Sequence, residues 1–253
     1  MEGGSQLILN FLQEGFVDSL KSSRSFRFGD TEQKNSLRKI DLFKATHTLP
    51  NGTSSHFDQL GLAAPGLFQR NFGASDPLAA AGIPLAVTPG NHDGSAYPGF
   101  AAEREIFVDE WSTRRPAVEF VAADSYPLNY AVAVGKVLII GLDVTTVSPL
   151  PMAQREFLEA VLAAHGERFE TRIVFCHLPL WPFAQGRETE ILRDSRFAQQ
   201  LAAHDVAMLV SGHHHVFYPG IDDNGVLHVS AGVLGGNIRR FSGSDLKSEF
   251  SFV

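Results

Sequence analysis

Hydrophobic and polar positions follow two regimes along this chain, and the change falls near Ser75. Before it, Ser, Thr, Asn, Lys and Arg are frequent and apolar periodicity is scarce. After Asp76 the apolar runs lengthen and alternate between strand-like and helix-like spacing. Residues 83–88 make a short apolar run that stops at Pro89-Gly90. Residues 130–134 and 137–142 read as two strands joined at Gly135-Lys136, a two-residue connection suited to a hairpin. Residues 152–165 carry Phe157, Leu158, Val161 and Leu162 at helical spacing, which predicts a helix with one apolar face. Residues 172–176 predict a strand, and Ser195 is placed as the N-cap of a helix ending at Ala203. Residues 206–210 and 226–230 read as buried strands, the second leading into a Gly-rich stretch, 231–237. Strands and helices that alternate this way favour a layered α/β fold.

Composition narrows the class. With 253 residues and 44% hydrophobic content, the chain can bury a sizeable core. It shows no internal repeat and no evident linker, so 1–253 reads as a single domain with an atypical first 75 residues. The net charge of -7 gives no general electrostatic reason to bind nucleic acid or an anionic membrane. A phosphate site in such a chain needs local positive charge, which bound metal can supply. Cys176 is the only cysteine, so no intramolecular disulfide can form. Residues 1–10 lack a basic start followed by a long apolar run, and no stretch is long enough to span a membrane. The expected location is therefore cytoplasmic. Oligomeric state is not legible.

Three polar clusters each follow a predicted strand directly. They are Gly90-Asn91-His92-Asp93-Gly94, Cys176-His177-Leu178-Pro179, and Ser211-Gly212-His213-His214-His215. Ligands in α/β sheets collect beyond the carboxyl ends of strands. Imidazoles and an amide oxygen meeting there would suit zinc, iron or manganese. Each cluster also has a plainer reading: a turn for Asn91-His92-Asp93, a structural histidine for His177, a solvated loop for the three consecutive histidines.

Taken together and in this order, the clusters resemble the calcineurin-like metallophosphoesterases. Gly90-Asn91-His92-Asp93 is similar to that family's Gly-Asn-His-Asp/Glu motif, and Gly212-His213-His214-His215 to its Gly-His-X-His motif. His177 stands where the family has an isolated metal-binding histidine. Residues 83–93 and His177-Leu178-Pro179-Leu180-Trp181 resemble its purple-acid-phosphatase-like and cyclic-nucleotide-phosphodiesterase-like branches. The likeness spans roughly residues 76–240. It implies a four-layer α/β/β/α fold with two mixed sheets and a site at one end. It implies two divalent or trivalent metal ions (manganese, iron or zinc). Asn91, His177 and His213 would hold one ion and His215 the other. His92 would meet the phosphoryl oxygen or protonate the leaving group, with Asp93 orienting it, and His214 would point away. A hydroxide activated between two metals about 3.5–4 Å apart would attack phosphorus in line. The substrate would be a small-molecule phosphomonoester or phosphodiester, with no covalent phosphoenzyme.

Two of the family's motifs lack clear counterparts. No Asp-X-His occurs between Met1 and Asp76, and a single Gly-Asp, Gly29-Asp30, follows the alternating Ser25-Phe26-Arg27-Phe28. Asp30 is thus the candidate bridging carboxylate, or else a surface turn residue. If it is aligned correctly, Gln33 takes the place of the tyrosine ligand of purple acid phosphatases, and no purple chromophore is expected. Three ligands with an open position make a workable catalytic site; a single imidazole, His215, holds an ion poorly. The chain would then retain one metal well and the second weakly. A frameshifted, mis-started or fragmentary N-terminus is one account of the missing motifs. The other is a divergent, catalytically impaired member that serves as a metal-dependent binding or scaffold protein. The ending Phe250-Ser251-Phe252-Val253 reads as the start of a strand, which suggests truncation there too.

Other residues stay open. Asp143 could support the site or stabilise a loop. Arg114 and Arg115 could meet a phosphate or form a solvated pair. Tyr97, Phe100 and Trp111 could wall a pocket or sit in the core, and Trp181, Phe217 and Tyr218 could shape it. His47, His56, His165, His204 and His228 receive no role.

Overall fold

The structure, a computed structural model, describes residues 80–232 and 239–243. After a single turn of 3-10 helix, the elements run α1 (Ala101–Thr113), β1 (Glu119–Ser125), β2 (Asn129–Val134), β3 (Val137–Gly141), α2 (Met152–His165), β4 (Thr171–Phe175), α3 (Ser195–Ala203), β5 (Met208–Ser211), β6 (Tyr218–Ile221) and β7 (Leu227–Ser230). The strands form one mixed seven-stranded sheet in the order β1-β2-β3-β4-β5-β7-β6. Pairing is parallel from β3 through β4 and β5 to β7, and antiparallel at both margins. The α/β expectation holds; the described residues contribute this one sheet. No described helix is long and apolar enough to cross a membrane.

The sequence pattern explains most of this. Gly135 takes φ 57°, which lets the two-residue connection reverse β2 into β3 with Val134 facing Val137. In α2, Leu158, Val161 and Leu162 are buried at helical spacing. In α3, Phe197 and Leu201 do the same. These side chains pack with Leu138, Ile140, Val174 and Leu209 into the main core. The alternate positions Val137, Ile173 and Met208 are buried on the other face, so the central strands are apolar on both sides, as parallel strands tend to be.

Two expectations need correction. Residues 83–88 do not form a strand. Pro84 and Pro89 have no N–H to give a ladder. Val87 instead satisfies both its backbone groups on one side chain: its N–H donates to the Tyr130 hydroxyl, and that hydroxyl donates to the Val87 carbonyl, both at 2.7 Å. The N-cap of α3 is Asp194, not Ser195: the Asp194 carboxylate accepts the Phe197 N–H at 3.0 Å. Trp111 is a core residue that packs with Phe107, whereas Tyr97 and Phe100 are exposed. Trp181 and Tyr218 lie in an apolar cluster with Phe183, Ala184 and Val216.

Candidate metal centre

Strand register puts the candidate ligands together. Phe175 of β4 pairs with Val210 of β5, so the residues two positions beyond, His177 and Gly212, emerge side by side. A bond from the Gly212 N–H to the His177 carbonyl, 2.9 Å, carries the ladder past the strand ends. Two neighbouring parallel strands thereby deliver His177 and His213 to one point, beyond their carboxyl ends. The loop bearing Asn91 is pinned to the end of β3. Thr88 donates to the Leu142 carbonyl at 2.7 Å, and the Ala96 N–H donates to the Thr145 hydroxyl at 2.8 Å. Arg104 of α1 donates to the Gly94 carbonyl at 2.7 Å while pairing with Asp143. Asp143 therefore stabilises the loop. Gly90 is required here for space: a Cβ on it would lie 2.7 Å from Asp93 Oδ2 and 3.3 Å from His177 Nδ1.

Three side-chain atoms converge. His177 Nε2 lies 2.6 Å from Asn91 Oδ1 and 3.1 Å from His213 Nδ1, and His213 Nδ1 lies 3.3 Å from Asn91 Oδ1. The Asn91 oxygen carries lone pairs, and each ring nitrogen does in the tautomer that places its proton on the other nitrogen. Burial depresses the His177 pKa to about 3, with His213, His92, His215 and His214 adding to the effect. Burial also lowers His213, against the opposing hydrogen bond and charge of Glu190. Burial thus favours the neutral form of both rings, and a neutral imidazole keeps one nitrogen with a lone pair to offer a cation. Donors bound to one ion at about 2.0–2.1 Å stand roughly 3 Å apart at right angles, and the two approaches to His213 Nδ1 match that spacing. The donor set thus fits a divalent cation. Among the described residues no group of three or more His, Cys, Asp or Glu is placed to hold a metal; the set is two imidazoles and the Asn91 amide.

The Gly-His-X-His turn is unusual in its backbone. His213 (φ 65°) and His215 (φ 55°) both take the left-handed conformation, which costs a non-glycine residue roughly 1–2 kcal/mol and persists where the surroundings fix it. His214 between them is completely buried. Its Nδ1 accepts the Phe183 and Ala184 N–H groups at 3.1 and 3.3 Å, and its Nε2 donates to the Glu190 carbonyl at 3.0 Å. Burial, the largest influence, brings its pKa to about 4. It is a neutral structural pin.

Other candidates sit less centrally. His92 is exposed at the edge of the turn. Asp93 is held back on that turn, where its carboxylate accepts the Gly90 N–H; burial raises its pKa, while Gly90 and His92 oppose the rise. No hydrogen bond joins Asp93 to His92 among the described residues. His215 is half-buried and near enough for its charge to bias His177. Asp30 lies outside the described residues. Arg114 pairs with Glu110, and Arg115 stacks over Phe120 and Tyr126. One partner was missed from the sequence: Glu190 accepts the His213 Nε2 proton at 2.7 Å. The segment Arg187-Glu188-Thr189-Glu190 offers no periodic or motif signal that singles out Glu190.

Solved structures resemble the chain in part. A purple acid phosphatase, PPD1, from yellow lupin (Lupinus luteus) seeds shares 20% identity with a TM-score of 0.48, covering 64% of this chain and 33% of that one. The present chain thus spans about a third of the lupin protein. A dimetal phosphatase from Danio rerio shares 16% identity with a TM-score of 0.47, covering 66% of this chain and 67% of that one. GAP50, the anchor in the inner membrane complex of Plasmodium, shares 16% identity with a TM-score of 0.33, covering 50% and 44%. No curated protein sequence matches the chain. The family model described as calcineurin-like phosphoesterase matches residues 66–217, more than half of the 253 residues, and the chain belongs to that family.

Proposed function

We propose that this protein hydrolyses small-molecule phosphomonoesters or phosphodiesters with metal held by Asn91, His177 and His213, and that His215 and Asp30 contribute to a second ion. The observation that carries the reading is the meeting of His177 Nε2, His213 Nδ1 and Asn91 Oδ1 within 2.6–3.3 Å, beyond two adjacent parallel strands. Bound metal would supply Lewis acidity toward a phosphoryl oxygen and lower the pKa of water. The chain's own residues do the rest. His177 and His213 are kept neutral and offer lone pairs. Gly90 leaves room for the His177 ring. His92, exposed beside this cluster, is placed to meet the phosphoryl group and hand a proton to the leaving oxygen as the P–O bond breaks and water oxygen bonds to phosphorus. Asp93, on the same turn, would orient His92.

The test is hydrolysis of p-nitrophenyl phosphate and its bis ester with added Mn²⁺. The His92→Ala variant should lose roughly 10²–10⁴-fold in rate and keep its metal affinity. Full activity in that variant removes the proton-donor role. No hydrolysis of either ester by the metal-loaded wild type would favour the binding or scaffold reading instead.

A further inference from the structure

Glu190 makes two different contacts with two consecutive histidines. Its carboxylate accepts the His213 Nε2 proton at 2.7 Å, and its backbone carbonyl accepts the His214 Nε2 proton at 3.0 Å. The carboxylate is itself fixed by Arg187, three residues earlier. An imidazole with one proton must choose which nitrogen carries it, and the partner of one nitrogen decides the state of the other. For His213 the choice matters. With the proton on Nε2, Nδ1 presents a lone pair toward His177 Nε2 and Asn91 Oδ1. With the proton on Nδ1, an N–H would point into the place where a cation is to sit.

We propose that Glu190 is a positioning residue that sets the tautomer of His213, so that Nδ1 is free to take metal. The inference rests on the proposed metal role of His213, and it assigns to Glu190 an orienting task outside the ligand set. A carboxylate behind a ligating imidazole fixes ring orientation and raises ligand basicity, and losing such a partner typically weakens metal affinity 10–100-fold. The arrangement also explains how His213 holds its left-handed backbone, φ 65°: its ring is tied at the far nitrogen to a carboxylate that Arg187 holds in place.

The experiment is ¹⁵N NMR of the imidazoles in the metal-free full-length protein, for wild type and the variants Glu190→Gln, Glu190→Asp and Glu190→Ala. Mn²⁺ titration of the same samples accompanies it. Wild type and Glu190→Gln, which keeps an acceptor oxygen at the same reach, should show His213 protonated at Nε2. Glu190→Asp, which retracts the carboxylate by one methylene, and Glu190→Ala should show a mixture with the Nδ1-protonated form. Mn²⁺ affinity should fall roughly 10–100-fold in Glu190→Ala and stay within about threefold in Glu190→Gln. His214 is the internal control, because its bond to the Glu190 carbonyl survives every substitution; its tautomer should not change. If His213 stays protonated at Nε2 in both Asp and Ala variants, the proposal is overturned. A change at His214 together with His213 would also overturn it, since Glu190 would then merely hold the loop. Failure of wild type to bind Mn²⁺ at all would instead count against the metal reading, while the tautomer spectra would still decide what Glu190 does.

Discussion

Two histidine–carboxylate pairs in this molecule look alike on paper and differ in setting. His213 and Glu190 meet at 2.7 Å beyond the ends of β4 and β5, with the Glu190 side chain 31% exposed and shared with Arg187. His228 and Asp222 meet at 3.1 Å within the β6–β7 hairpin, with side chains 3% and 4% exposed. Asp222 is also saturated by backbone: it accepts the Asn224 N–H at 2.9 Å and the Val226 N–H at 3.0 Å. The Trp181 and His228 rings meet nearly at right angles, with centroids 6.0 Å apart. In the hairpin the pair closes a turn. At the strand ends the pair orients a ring whose second nitrogen faces two further donors. The His213 pair is the more exposed of the two, and its ring faces His177 Nε2 and Asn91 Oδ1 through Nδ1.

The comparison can be broken most forcefully from the hairpin side. Asp222→Ala removes the buried contact with His228 and leaves the buried Val226 N–H unpaired. It should cost about 3–5 kcal/mol of stability, measured by denaturant unfolding, with Mn²⁺ affinity unchanged. The same group sets an acid limit. Burial alone would raise the Asp222 pKa, but its bonds to His228, Val226 and Asn224 hold it below the ordinary carboxylate value. Its contribution is therefore present above the unfolded pKa of about 3.9 and is lost as pH falls through the lower folded value. In Asp222→Asn the stability curve should be flatter below about pH 4.

From the site side, His177→Ala should weaken Mn²⁺ binding by more than the roughly 100-fold that bounds the loss of a ligand's partner, with little change in metal-free stability. Equal binding in that variant would collapse the distinction between the two pairs. Smaller effects separate frame from site more finely. Asp194 caps α3, accepts the Leu150 N–H at 2.8 Å and pairs with Arg155. Asp194→Ala should cost about 1–2 kcal/mol, and Ser195→Ala should stay within about 0.5 kcal/mol. Gly225 sits in the hairpin at φ 85° with open space around it. Gly225→Ala should cost about 1 kcal/mol through backbone strain and leave metal affinity intact. At Gly90 the balance reverses, because a methyl there intrudes on Asp93 and His177.

How far the sequence could be read follows from where the physical signal lies. The β2–β3 hairpin and α2 were legible from a two-residue turn and a helical apolar stripe, strands β4, β5 and β7 from short apolar runs, and α3 from a capping signal one position from the true cap, Asp194. Helix α1 was not, since only Phe107 and Trp111 are buried in it and no apolar stripe forms. Strand β6 contains Pro219-Gly220, which reads as a turn; it sits at the sheet edge, where proline is tolerated. Residues 83–88 have the apolar content of a strand without its ladder: Pro84 lacks an N–H and the Val87 backbone groups bond the Tyr130 hydroxyl. In the site, the three converging residues were legible as motifs in order. Glu190 was not, because its contact with His213 spans 23 residues and depends on the path of an irregular loop. Asp30 lies outside the described residues.

The central claim is that Asn91, His177 and His213 together hold a metal ion. It is tested most directly by titrating Mn²⁺ into the metal-free full-length chain beside the His213→Ala variant and counting ions bound per folded molecule. The account predicts at least one ion per wild-type chain and loss of that ion in the variant, with both proteins folded. Binding of the same number of ions at the same affinity by both would contradict it.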